Sequence, residues 1–203
     1  MNDSRNYQFL LFSLSPSSYI HPSWLETMQI DKIFSWEGGP VNKDKLLSEF
    51  LFGQSNLKHI DFESFSQEEK NVLILDPQST KLLVSYLGIF FCQDLLKRHI
   101  LKSQVMAIKS DFGKDAYSFG LKKAPYLLKN RNIIFPDNKN SLNVGGEIVA
   151  YGMTCLQAYL ALYADDVQKR VFWKLPSHWQ ANDYDISRDN AVSLINAILQ
   201  EVK

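Results

Sequence analysis

Little in this 203-residue chain points to a cofactor, a membrane or a charged polymer. Cysteine is nearly absent. Cys92 and Cys155 are the only two, each inside an apolar segment, where a free thiol behaves as a small hydrophobe. Two isolated thiols build no disulfide framework, which points to a reducing compartment. Neither sign of charge is in excess: Lys plus Arg equals Asp plus Glu at 22 each. A protein built to hold nucleic acid or an anionic membrane carries a basic excess, so neither is expected as a partner. Near-zero net charge lowers self-repulsion and suits a subunit of something larger. Long apolar runs are missing too. The longest uncharged one, Leu82 to Gln93, falls well short of the ~20 residues of a membrane span. The run Phe9 to Phe12 is too short for the apolar core of a signal peptide. The expectation is a soluble protein of the cytoplasm.

Signatures of chemistry are equally scarce. There is no G-x-G-x-x-G, phosphate-binding loop, G-x-S-x-G, H-E-x-x-H or C-x-x-C. The four histidines, at 21, 59, 99 and 178, lack ligand spacing, so no metal and no cofactor is expected. A helical enzyme would have to draw on His21, His178 and Asp183, and His21 is explained as a hydrogen-bonded residue of the Pro16–Pro22 turn. The pairs Asp165-Asp166 and Glu68-Glu69 stand at expected helix starts, where carboxylates favour the helix dipole. The basic pairs Lys97-Arg98, Lys122-Lys123 and Lys169-Arg170 are too small for a nucleic-acid footprint and read as solvated helix faces. Phe172, Trp173 and Trp179 read as core. No catalytic residue is assigned.

Apolar content is ample. At 45% hydrophobic, with 13 Phe and 9 Tyr, the chain can bury a sizeable core. The densest run is Lys81 to Leu101. As a helix it would be roughly 30 Å long, against roughly 40 Å for a domain of this length. Ser79 or Thr80 is the expected cap. Apolar residues face nearly every direction up to Cys92, and a polar face opens after it, so the first half is expected to be buried all round. Gly88, unfavourable in a helix by about 1 kcal/mol against Ala, marks a close helix crossing there.

The rest reads as helices around this one. Residues 7–14 are open between strand and helix. Residues 15–22 turn between two prolines, and Pro22 starts a short helix with Trp24, Leu25 and Met28 on its apolar face. Gly38-Gly39-Pro40 breaks the chain. A helix from Asn42 carries Leu46, Leu47, Phe50 and Leu51 and stops at Gly53. Ser66 and Glu69 form a capping box before a helix that ends at Asp76-Pro77, with a strand at 72–75 as the alternative. Further helices fall at 103–110 and 114–129, the latter kinked or restarted at Pro125. Residues 130–146 form the longest loop, the segment suited to mobility or partner contact. Helices at 147–164 and 166–175 follow. The last helix is capped by Ser187, with Ala191, Leu194, Ile195, Ile198 and Leu199 in one stripe. The fold class is mainly α: one compact multi-helix domain over 1–203 around the central helix at about 81–101, with an irregular or small mixed N-terminal segment. Whether residues 1–35 form a small lobe stays open.

Several of these stretches, in this order, resemble the SctK subunits of the type III secretion sorting platform. The signature runs through Pro16 into Tyr19-Ile20-His21-Pro22 and Leu25. It continues through Leu46-Leu47-x-Glu49-Phe50, Pro77-Gln78-Ser79, the Leu87-Gly88 pair, Lys97-Arg98, Lys169-Arg170 and Leu175-Pro176, across most of residues 9–176. The resemblance implies a cytoplasmic adaptor at the cytoplasmic face of the inner membrane, and not an enzyme. It would link the cytoplasmic domain of an inner-membrane ring protein to the pod protein, meeting the membrane only through the ring and binding no nucleic acid. The signature residues Pro16, Tyr19, Ile20, His21, Pro22, Leu25, Leu87 and Gly88 would then be structural. A secretion chaperone or another helical binding module is the alternative.

Overall fold

The computed structural model describes residues 2–30, 42–98, 101–127 and 143–202. These contain eleven α-helices and three 3-10 turns, with no strand among the described residues. The helices are α1 (Asn2–Leu14), α2 (Pro22–Thr27), α3 (Lys43–Ser55), α4 (Gln67–Leu73), α5 (Pro77–Phe91) and α6 (Gln93–Arg98). They continue with α7 (Lys102–Phe112), α8 (Lys114–Lys122), α9 (Val144–Leu160), α10 (Asp165–Phe172) and α11 (Arg188–Val202). The mainly α expectation holds. The chain divides into two compact units: residues 1–80 with 163–178, and residues 81–162 with 179–203. The N-terminal segment, as far as it is described, thus shares a unit with 42–80 and 163–178. The breaker at Gly38-Gly39-Pro40 and the loop residues 130–142 lie outside the described residues.

In the first unit, residues 7–14 are helical, within α1. Its inner face buries Phe9, Phe12 and Ser13. The Ser66–Glu69 capping box is present: the Glu69 N–H donates to Ser66 Oγ (3.3 Å) and the Ser66 N–H to Glu69 Oε2 (2.7 Å). The strand alternative at 72–75 is overturned, because the Ile74 N–H still donates to the Lys70 carbonyl. Gly53 does not stop α3. The helix runs on to Ser55 and closes at Asn56 in the left-handed region (φ 49°), the other residue type that tolerates this conformation.

In the second unit, the apolar run divides into α5 and α6. The ladder carries across the joint, with the Cys92 N–H on Gly88 O and the Leu96 N–H on Cys92 O. The Gln93 side-chain amide donates to the Phe90 carbonyl. Residues 83–93 are all buried, whereas Asp94, Lys97 and Arg98 are exposed, as the change of pattern after Cys92 predicts. Helix α5 begins at Pro77 rather than 81. Its cap is Asp76, whose carboxylate accepts the Ser79 N–H (3.0 Å), in place of the expected Ser79 or Thr80.

Gly88 sits where the helices touch backbone to backbone. A Cβ there would fall 1.7 Å from the Ile148 carbonyl oxygen, and one on Gly152 would fall 2.1 Å from that of Val84. Positions 84 and 88 meet 152 and 148, so α5 and α9 cross antiparallel with a glycine on each side. Helix α9 starts three residues before the expected Glu147, because the Asn143 side chain caps it by accepting the Gly146 N–H (2.9 Å). Pro125 is the second residue of a separate 3-10 turn, Ala124–Tyr126, after α8. Helix α11 packs on α9, with all five stripe residues from Ala191 to Leu199 buried.

The two helix glycines make opposite forecasts. Gly88→Ala should lower stability although Ala gains about 1 kcal/mol of helix propensity, because overpacking typically costs about 1–3 kcal/mol and the obstruction is backbone. Gly53 has no atom within 4 Å of an added Cβ. Gly53→Ala should therefore raise stability by up to about 1 kcal/mol. Denaturant unfolding of both variants reads the two signs, and a stabilised Gly88→Ala protein would remove the close-crossing account.

Candidate functional site

The segment Pro16–Leu25 turns the chain from α1 into α2 and is tied to residues 173–177. The His21 N–H donates to the Trp173 carbonyl (2.6 Å), Trp24 Nε1–H to the Leu175 carbonyl (2.8 Å), and the Ser177 N–H to Ser23 Oγ (2.9 Å). His21 Nδ1 accepts the Ser23 N–H and caps α2, where Pro22 occupies the first turn. Pro16, Tyr19 and Ile20 are buried, Leu25 is half-buried and Pro22 is exposed. The Tyr19 hydroxyl donates to the Phe12 carbonyl (2.9 Å). Thus Tyr19–Pro22 and Leu175-Pro176, far apart in sequence, meet in the first unit. Leu87 and Gly88 belong to the second unit, Gly88 at its helix crossing.

Two cations lie inside the first unit. Lys169 is exposed, but Arg170 has no accessible surface, which overturns its reading as part of a solvated face. Its Nη1 bonds the Asp166 carboxylate and carbonyl (3.2 Å each). Its Nη2 bonds the carbonyls of Lys58 (2.7 Å) and Ser13 (3.3 Å). Nε has no hydrogen-bond partner, and the guanidinium faces the Phe52 ring at 5.3 Å. One side chain of α10 therefore fastens the end of α1 and the loop after α3.

Lys174, also buried, lies four residues further on. Its Nζ donates to the carbonyls of Leu73 (2.5 Å) and Leu75 (2.7 Å) at the end of α4. Nζ also lies over the rings of Phe12 (4.6 Å) and Tyr19 (5.7 Å). It forms no ion pair among the described residues. Burial lowers the Lys174 pKa from 10.5 to about 7, with Asp76 acting the other way. Burial pushes the Tyr19 phenol up, beyond what the nearby Arg170 charge offsets, so it stays a neutral donor. The sequence carried a signal for this arrangement. Asp166, Arg170 and Lys174 recur every four residues beside Val167 and Val171, so the charges keep to the apolar face.

The outer side of α1 is apolar as well. Tyr7, Leu10 and Leu14 are 62%, 55% and 45% exposed. Beside them opens a groove of about 540 Å³ whose apolar lining is Leu11, Leu14 and Phe52. Ser17 and Ser48 line it too, joined by a hydrogen bond from the Ser17 N–H to Ser48 Oγ (3.3 Å). Its charged edge is Asp44, Lys45 and Glu49 on α3. Lys45 Nζ and Glu49 Oε1 are 3.8 Å apart on exposed side chains, a pairing that adds little stability.

The remaining candidates are dispersed. His59, His178 and Asp183 are exposed, and none has a hydrogen bond to another described residue. His99 lies outside the described residues. No group of three or more His, Cys, Asp or Glu among the described residues could hold a metal ion. Cys92 and Cys155 are buried and unpaired, and burial pushes both thiols up, away from the reactive thiolate. Trp173 is buried; Phe172 and Trp179 are half-buried, with Lys81 Nζ 5.7 Å from the Trp179 ring centroid.

A family model described as YOP proteins translocation protein K (YscK) matches residues 5–200. No curated protein and no solved structure matches the chain. No described helix is long and apolar enough to cross a membrane.

The buried cations make two forecasts. Between about pH 7 and 10.5 the unfolded Lys174 holds a proton that the folded one has released, so stability rises with pH across that window. One proton contributes a slope of roughly 1 kcal/mol per pH unit. Unfolding titrations from about pH 7.5 to 9.5, inside that window, should show this slope in the native chain and lose it in Lys174→Met. Arg170→Met takes a fully buried charged donor away from the half-buried Asp166 carboxylate and from the carbonyls of Asp166, Lys58 and Ser13, and should lose about 3–5 kcal/mol in the same measurement. An Arg170→Met protein as stable as the native chain would show that the guanidinium contacts hold nothing together.

Proposed function

The chain belongs to the YscK family, the SctK family of type III secretion components, and from that premise we propose that it is a non-enzymatic adaptor joining an inner-membrane ring protein to the pod protein. It would act at the cytoplasmic face of the inner membrane, through the ring protein's cytoplasmic domain, without cofactor or nucleic acid. An adaptor needs two docking faces that do not compete. The observation that carries the reading is that each unit exposes large apolar side chains of its own. The first has Tyr7, Leu10, Leu14 and Leu46; the second has Leu101, Met106, Leu121 and Tyr126. Tyr7, Leu10 and Leu14 share one stripe of α1, and an apolar patch of that kind marks a surface where another protein sits.

Pull-down of the full chain from secreting cells should recover both the ring and the pod protein, and size exclusion should hold all three in one complex. Met106→Asp, on an exposed position of α7, should release one of the two and keep the other. Recovery of an exported substrate alone would replace the adaptor with a chaperone. A measurable turnover lost on replacing His21 and His178 by Ala, with secretion intact, would replace it with an enzyme.

A further inference from the structure

We propose that the groove beside α1 seats a partner's amphipathic α-helix, about two turns long or more, that carries a Lys or Arg for the acidic edge on α3. This deepens the adaptor reading and rests on it, by giving the chemistry of one of the two docking contacts. Tyr7, Leu10 and Leu14 are spaced three and four residues apart and form one stripe along α1. The stripe rises about 10 Å, or two helical turns. It runs into the groove, because Leu14 is both 45% exposed and part of the lining with Leu11 and Phe52. An apolar stripe beside a concave apolar floor accepts a second helix through anchors at i, i+3 or i+4, and i+7.

The edge charges select among occupants. Lys45 and Glu49 neutralise each other across 3.8 Å, leaving Asp44 as the net charge, with no ion pair to a described residue. A net acidic edge is complemented by a basic side chain. A second copy of this chain, docked patch to patch by a two-fold axis, would bring an edge of the same net negative charge. Anionic membranes and nucleic acids draw on basic rims, the opposite of this edge.

The test uses the full chain and two probes, the ring protein's cytoplasmic domain and the pod protein of the same secretion system, in titration calorimetry. Leu14→Asp should weaken binding of one probe by about tenfold or more, as a central anchor does, and leave the other unchanged. Asp44→Lys should weaken the same probe, with the loss shrinking in high salt. Amide exchange on that probe should show protection of a helical segment bearing a Lys or Arg. Leu14 is 45% exposed and Asp44 stands in the first turn of α3, so both variants should keep the native circular dichroism and lose about 1 kcal/mol of stability or less, too little to unfold the chain during the titration. If the native chain binds both probes and both variants do too, the groove proposal falls and the adaptor reading stands. If the native chain binds neither probe, the adaptor reading falls and takes this proposal with it. A dimer by light scattering that Leu14→Asp dissociates would place a second copy in the groove and overturn it.

Discussion

The first unit depends on two basic side chains held out of water four residues apart. Moving a cation into a protein interior carries a penalty of several kcal/mol, which a single counter-ion offsets only with good geometry. Arg170 meets it with the Asp166 carboxylate and three backbone carbonyls, and Lys174 meets it with two carbonyls and two ring faces. Those carbonyls belong to the end of α1, the loop after α3, the first turn of α10 and the end of α4. Backbone acceptors at helix ends need partners in any case. The two side chains therefore cap the ends of α1 and α4 with one turn of chain. The solution is incomplete at Arg170 Nε, which lacks a hydrogen bond. It is also conditional at Lys174, whose proton is held only weakly near neutral pH.

The second unit is held by other means. Its long helices α5 and α9 are apolar nearly all round, and their contact is set by the absence of side chains at Gly88 and Gly152. Buried polar groups there are mostly satisfied locally, as where Ser85 Oγ–H donates to the Lys81 carbonyl and Thr154 Oγ1–H to that of Ala150. Such a core responds weakly to pH and strongly to volume. The two units should accordingly fail under different stresses, the first when a buried cation loses its acceptors and the second when a methyl group is added at a glycine.

Elements with a strong period were legible from the sequence, and particular residues show why. The stripe from Ala191 to Leu199 needed only helical spacing, and Ser66 with Glu69 needed only local backbone geometry. Gly88 was readable because a glycine inside an apolar helix is costly unless a neighbouring backbone comes close to it. Helix ends were read less well: Gly53 suggested a stop, yet Gly53, Gln54 and Ser55 all fit the helix before Asn56 turns left-handed. Arg170 and Lys174 were missed for a different reason. A basic residue is solvated by default, and only carbonyls supplied by distant parts of the chain reverse that default. The groove on α1 was illegible for a similar reason, since the run Phe9 to Phe12 does not say which of its two apolar sides the chain itself will cover.

That last ambiguity bears on function. A helix whose inner face is secured by Phe9, Phe12 and Ser13 has no folding need for Tyr7, Leu10 and Leu14 on its outer one. The inner attachments include a hydrogen bond from Tyr19 to the Phe12 carbonyl and the Lys174 charge over the Phe12 ring, both directional and independent of the outer side chains. Leaving three large apolar groups in water brings no hydrophobic gain to the isolated chain. Their exposed parts gain only when another surface removes them from water, which is the role the proposed partner helix would fill. The buried cations and the exposed stripe are then two sides of one arrangement: polar anchoring behind α1 leaves its apolar front available.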